Sequence, residues 1–130
     1  MELQRLDNLK IVVVDDQENV RSPVGRFLSD KGAQVRACRN VDEALDAVPK
    51  LRPDLVISDI RMPEKDGFEL LNAIRLMDRD SGREMPVIAM TAHEPETQEI
   101  IANPPMFDGL LPKPFTPTAL MRMISDVLTK

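Results

Sequence analysis

A doubly wound α/β fold built from five β-α units is the expectation for this chain. Short β-branched apolar runs alternate with stretches of helical periodicity from Lys10 to Leu128. Such alternation implies a parallel sheet with helices on both faces. The length of 130 residues fits one domain with one core, and an apolar content of 42% is enough to fill it. A polar or charged residue also follows most of the apolar runs directly, placing chemistry at one end of each strand.

The elements follow in order. Lys10–Val14 (KIVVV) is continuous, apolar and β-branched, which predicts a strand buried on both faces. Val20, Val24, Phe27 and Leu28 then recur at helical spacing, and Lys31-Gly32 provides a stop. Pro23 falls inside that helix, which either kinks there or starts late with Ser22 as its cap. Val35 to Cys38 is a weaker second strand. Asn40 caps the second helix, with Glu43 three residues on, close to a capping box, and Ala44, Ala47, Val48 and Leu51 form its inner face. Asp54–Ser58 (DLVIS) is the third strand. Gly67 opens a third helix with Leu70, Leu71, Ile74 and Met77 inside, and a polar loop from Asp78 to Glu84 follows. Pro86–Met90 (PVIAM) is the fourth strand, and a short fourth helix is expected between Pro95 and Ala102. Gly109–Leu111 is the last strand, with Pro112 tolerable there only at a sheet edge. Thr116 caps the final helix with Pro117 at its first position, a favoured arrangement, and Leu120, Ile124, Val127 and Leu128 face inward. Right-handed crossovers leave few topologies, and for five strands the flavodoxin-like order 2-1-3-4-5 leads. Residues 1–8 are expected as an N-terminal extension or linker, and residues 9–130 as the domain.

Composition narrows the function classes. No apolar run is long enough to span a membrane, and no signal-peptide pattern opens the chain. Cys38 has no second cysteine to pair with, so it is expected as a reduced core residue and a cytoplasmic location follows. With 17 basic against 22 acidic residues, nucleic acid is not the expected partner. The eight methionines are read mostly as core filler, with Met121 and Met123 candidates for an exposed contact patch on the final helix.

The polar residues explain why VVVDDQ ends a buried strand in two like charges. In a parallel sheet, Asp15 and Asp16 after strand one, Asp59 after strand three, Thr91 after strand four and Lys113 after strand five all lie at one edge. Ligands bind at that edge, at the switch point that strands one and three flank. Converging carboxylates repel unless a cation sits among them, and oxygen ligands without His or Cys suit Mg²⁺. Lys113 adds a fixed positive charge and Thr91 a hydroxyl. A dication, an ammonium and a hydroxyl around one aspartate make a site for a phosphoryl group. Asp59, alone at the centre, is the best nucleophile; Asp15 and Asp16 are metal holders.

VVVDDQ, SDIRMPEKDG, MTAH and LPKPF, in series at strand ends, resemble the receiver domain of two-component response regulators. The similarity spans Lys10 to about Leu128. It implies a phosphoaspartate at Asp59, and Mg²⁺ held by Asp16, Asp59 and the backbone carbonyl of Arg61, with Asp15 acting through water. It further implies a cis peptide at Lys113–Pro114, and pairing of Lys113 and Thr91 with the phosphoryl group. The implied donor is a sensor histidine kinase or a histidine phosphotransfer protein. A homodimer or a downstream protein would read the face of the fourth helix, fifth strand and fifth helix. The implied protein is a signalling domain, not an enzyme acting on external substrates. RDSGREMPVIAMTA and FDGLLPKPF are most similar to receivers of hybrid sensor kinases; a single-domain regulator is the alternative.

Some positions depart from the family. Leu110 stands where an aromatic switch is usual, so an aromatic readout is not expected from it. Pro95, Pro104 and Pro105 bracket the fourth helix, and Pro23 lies on the face that commonly docks the phosphodonor. Arg61 and His93, two residues past Asp59 and Thr91, are expected to tune phosphoryl lifetime. Two other classes compete. An aspartate-nucleophile phosphatase would usually need an acid where Arg61 stands. A phosphate-independent binding module would have no use for the intact acidic set.

Overall fold

The computed structural model describes residues 3–91 and 107–129. The helix expected between Pro95 and Ala102, with His93, Pro104 and Pro105, lies outside the described residues. Five strands, β1 (Lys10–Val14), β2 (Gln34–Cys38), β3 (Leu55–Asp59), β4 (Val87–Thr91) and β5 (Gly109–Pro112), form one sheet in the order β2-β1-β3-β4-β5. Every neighbouring pair is parallel. Helices α1 (Glu18–Asp30), α2 (Val41–Leu51), α3 (Gly67–Ser81) and α4 (Pro117–Leu128) connect or cover the strands. The expected flavodoxin-like fold is the one observed.

Two apolar layers explain the unbroken runs in β1, β3 and β4. Ile11, Val13, Ile57 and Ile88 point to a layer shared with Leu28 of α1 and Leu120 and Ile124 of α4. Val12, Val14, Val56 and Val87 point the other way, to Val48 of α2 and Leu70 and Ile74 of α3. A strand with both faces buried has no polar position to spare.

Local signals place most helix ends. The Asn40 side chain accepts from the Glu43 amide at 2.8 Å, although the Glu43 carboxylate reaches back to the Arg39 amide instead of closing a box. The full capping box is at α3, where Asp66 and Glu69 satisfy each other's amides. Thr116 accepts from the Ala119 amide at 3.0 Å, ahead of Pro117 at the start of α4.

Several boundaries depart from expectation. The reading of Asp78 to Glu84 as a loop is corrected: α3 continues to Ser81 and stops at Gly82, whose φ is 73°. Asp78 stays helical because its carboxylate is used at once by the Arg75 guanidinium and the Met85 amide. Of the two readings of Pro23, a late start fails, since α1 begins at Glu18 and runs through the proline. Pro23 is exposed, so water can satisfy the Asn19 carbonyl it leaves unpaired. A second internal proline, Pro49, lies near the end of α2 and was not read from the sequence. Strands β3, β4 and β5 each end one residue later than expected, so Asp59 and Thr91 are themselves the last strand residues. Pro112 does sit on an edge strand. Met121 is buried and Met123 packs against the α1–α4 layer, so neither adds to an exposed patch. Cys38 is buried and free, and burial pushes its thiol up to about 11.

The segment ahead of β1 is docked on the domain. Leu6 is fully buried in the α1–α4 layer, its amide donates to the Lys31 carbonyl at 2.8 Å, and the Leu3 amide donates to Ser125 Oγ at 2.8 Å. Leu6→Ala is therefore expected to lower unfolding free energy in urea by about 2–4 kcal/mol, the range for a large core side chain cut to alanine. Gln4→Ala, two residues away and exposed, should stay within about 0.5 kcal/mol.

Candidate functional site

The sheet order brings the carboxyl ends of β1 and β3 side by side, at the position where the chain reverses its direction of travel across the sheet. There Asp15, Asp16 and Asp59 each offer an oxygen, all within 4.8 Å of one another. Lys113, from the loop after β5, extends its ammonium to 3.1 Å from Asp15 Oδ2 and 3.3 Å from Asp59 Oδ1. Thr91 ends β4 as a buried residue. All five expected side chains thus stand at one edge, and the Lys113–Pro114 peptide is cis. Arg61 is exposed, just past Asp59.

Each group is held differently. Asp15 is completely buried; its Oδ1 accepts from the Gln17 amide at 2.9 Å and its Oδ2 from Lys113. Asp59 is nearly buried, and its Oδ1 accepts from the Ile60 amide at 2.9 Å. Asp16 is exposed, at the mouth of the cluster. Burial, with the nearby Asp15 charge, raises the Asp59 carboxyl to about 6, against the pull of Lys113 and the Ile60 amide.

Three carboxylates facing one ammonium leave excess negative charge in a largely dry setting, with oxygen donors only. That donor set fits a hard divalent cation such as Mg²⁺.

Two contributors were not read from the sequence. Gly67 begins α3 so close to the β3 end that a Cβ there would lie 2.6 Å from the Asp59 carbonyl and 2.9 Å from Ile60 Cα. The Gly67 amide donates to the Ile60 carbonyl at 2.8 Å, and buried Ser58 donates to the Asp59 carbonyl at 2.8 Å. Together they set the backbone from which Asp59 projects. SDIRMPEKDG contains both residues, but only the tertiary approach reveals why a glycine is needed. Beside the site, Leu110 is partly buried with Phe68 and Phe107 over Ile60 and Ala89; the two rings lie 5.7 Å apart at 59°. The usual aromatic position is thus aliphatic, with an aromatic pair next to it.

The chain belongs to the response regulator receiver domain family, whose model matches residues 11–125. This is the receiver of a two-component response regulator. It is 37% identical over 124 residues to a 14.6 kDa protein from the sodA1 3′ region of Leptolyngbya boryana, covering 95% of this chain and 93% of that one. It is 32% identical to the response regulator MprA of Mycobacterium sp. (strain KMS) over 94% of its own length but 51% of that protein, so it spans about half of MprA. Among solved structures, chemotaxis response regulator CheY4 of Vibrio cholerae matches with a TM-score of 0.80 and 34% identity, over 93% of this chain and 99% of that one. A putative response regulator from Chloroflexus aurantiacus gives a TM-score of 0.83 at 26% identity, over 95% and 100% of the two chains. No helix among the described residues is long and apolar enough to cross a membrane.

Two outcomes follow from this geometry. The fold favours protonated Asp59, so folding takes up a proton between about pH 4 and pH 6. In EDTA, wild type should lose stability relative to Asp59→Asn as pH rises through that window. At pH 7 the variant should be more stable by roughly 2–3 kcal/mol in urea titrations. Gly67→Ala must displace the Asp59–Ile60 backbone or the start of α3; it is expected to cost about 1–3 kcal/mol in the same assay.

Proposed function

We propose that Asp59 is the phosphoacceptor of a two-component phosphorelay, taking a phosphoryl group from a phosphohistidine partner. The observation that carries this reading is the Lys113 ammonium held between Asp15 and Asp59 in a cluster of three carboxylates. An Asp59 carboxylate oxygen attacks phosphorus in line, the phosphorus–nitrogen bond breaks, and the imidazole of the donor leaves. A carboxyl raised to about 6 is mostly ionised at neutral pH and more basic than an ordinary aspartate. Lys113 exchanges part of its pairing with Asp15 and Asp59 for the incoming phosphoryl oxygens. The Ile60 amide stays on Asp59 Oδ1 and keeps the carboxylate oriented.

Asp15, Asp16, Asp59 and the main-chain carbonyl of Arg61 would hold Mg²⁺, whose chemistry when bound is to neutralise charge on the phosphoryl oxygens. Thr91, at the end of β4, turns its hydroxyl to the phosphoryl group. That motion changes the population of the face to which β5 and α4 contribute. A downstream protein or a second copy reads that face. Arg61 and His93 tune how long the phosphoryl group lasts. The domain modifies only itself.

A groove of about 590 Å³ lies beside Lys113, lined by Asn19, Val20, Pro23, Val24, Lys113, Pro114 and Phe115. It suits the donor, a sensor histidine kinase or a histidine phosphotransfer protein, because a bound side chain there would reach Lys113. A cytoplasmic setting goes with such a donor and with the free thiol of Cys38.

Intact mass after incubation with acetyl phosphate and Mg²⁺ tests the reading. Wild type should gain one phosphoryl group; Asp59→Asn, and wild type in EDTA, should gain none. Failure to gain it, together with failure to bind a beryllofluoride mimic, would overturn the proposal.

A further inference from the structure

Asp16 poses a problem for metal binding. It is exposed, and no hydrogen bond from another described residue fixes its carboxylate. Its place in the cluster therefore depends on the turn that carries it, 15–17, between β1 and α1. Three bonds close that turn. The Gln17 amide donates to Asp15 Oδ1 at 2.9 Å, the Arg21 amide donates to the Gln17 carbonyl at 2.9 Å, and the Arg21 guanidinium donates through Nη1 to the Asp15 carbonyl at 2.8 Å. Arg21 thus grips the turn at both ends, once with its backbone and once with its side chain. Helical side chains lean toward the N-terminus, which lets a residue in the second turn of α1 reach back to the strand end.

We propose that Arg21 is a positioning residue for the acidic cluster: it locks the 15–17 turn so that Asp15 and Asp16 face Asp59 at metal-binding distance. This rests on the reading of the cluster as a Mg²⁺ site. Residues that orient metal ligands without touching the metal typically contribute tenfold or more to affinity.

Charge and position pull in opposite directions here, which makes the role testable. Arg21 is a cation near a site for a cation. If its charge were all that mattered, removing it would strengthen Mg²⁺ binding. If it positions the turn, removing it weakens binding. Alanine is the best helix former, so Arg21→Ala leaves α1 itself intact.

The experiment compares wild type, Arg21→Ala and Arg21→Lys by Mg²⁺ titration in calorimetry, and by hydrogen exchange of the Gln17 amide in EDTA. The expected result is a Kd for Mg²⁺ raised about tenfold in Arg21→Ala and partly restored in Arg21→Lys, which keeps a donor. The Gln17 amide should exchange faster in Arg21→Ala without metal, while the thermal midpoint stays within a few degrees of wild type. Unchanged or tighter Mg²⁺ binding in Arg21→Ala would overturn the proposal, as would a Gln17 amide as protected as in wild type. If wild type itself bound no Mg²⁺, the metal-site reading would fall; the Gln17 exchange would then still decide whether Arg21 holds the turn.

Discussion

Repulsion among carboxylates at the carboxyl edge of the sheet is the constraint on which the site depends. Asp15 is buried without solvent to screen it, and Asp59 is nearly so. Unpaired, such groups would be costly enough to unfold a small domain. Lys113 relieves the strain by standing between them. It comes from the far end of the sheet, 98 residues along the chain from Asp15. The relief is partial, since Asp59 keeps a raised pKa, and the remaining negative charge makes the edge receptive to a cation. Stability and function draw on the same electrostatic imbalance.

The scaffold supports that imbalance by rigidity. Strands β1 and β3 are buried on both faces, so neither can shift without disturbing two apolar layers. The start of α3 approaches the Asp59 backbone so closely that only glycine fits. The other end of the sheet is tied by a separate polar cluster. Arg75 joins Asp78, the Met85 carbonyl and Asp108, and Asp108 also accepts from the Val87 amide. Thr91 at the end of β4 and Lys113 just after β5 are thus carried by strands whose opposite ends are anchored.

The periphery is less regular than the core. Pro23 and Pro49 lie inside helices, and Arg52 closes α2 with a φ of 51°, where glycine is the usual choice. These irregularities face outward, where water can take the unpaired backbone groups. Pro23 also borders the groove beside Lys113, so one of them lies close to the chemistry.

How much of this was legible from the sequence depends on the range of each interaction. KIVVV, the Thr116-Pro117 cap and the polar residues at four of the strand ends rest on local propensity and period; with the handedness of crossovers they placed the strands, their order and the five side chains at one edge. The end of α3 was misread, the burial of Leu6 was unread, and the path of α1 through Pro23 was left between a kink and a late start. Each depends on contacts that residue pattern does not show: the Met85 amide for Asp78, the Lys31 carbonyl for Leu6, water for the Asn19 carbonyl. The grip of Arg21 on the Asp15 carbonyl and the need for glycine at position 67 also come from geometry and not from residue pattern. Sequence alone determined which groups meet, because strand direction follows from pattern. Tertiary structure alone decided how they are held, because a particular hydrogen bond or a 2.6 Å approach exists only once the strand ends and helix starts are packed in place.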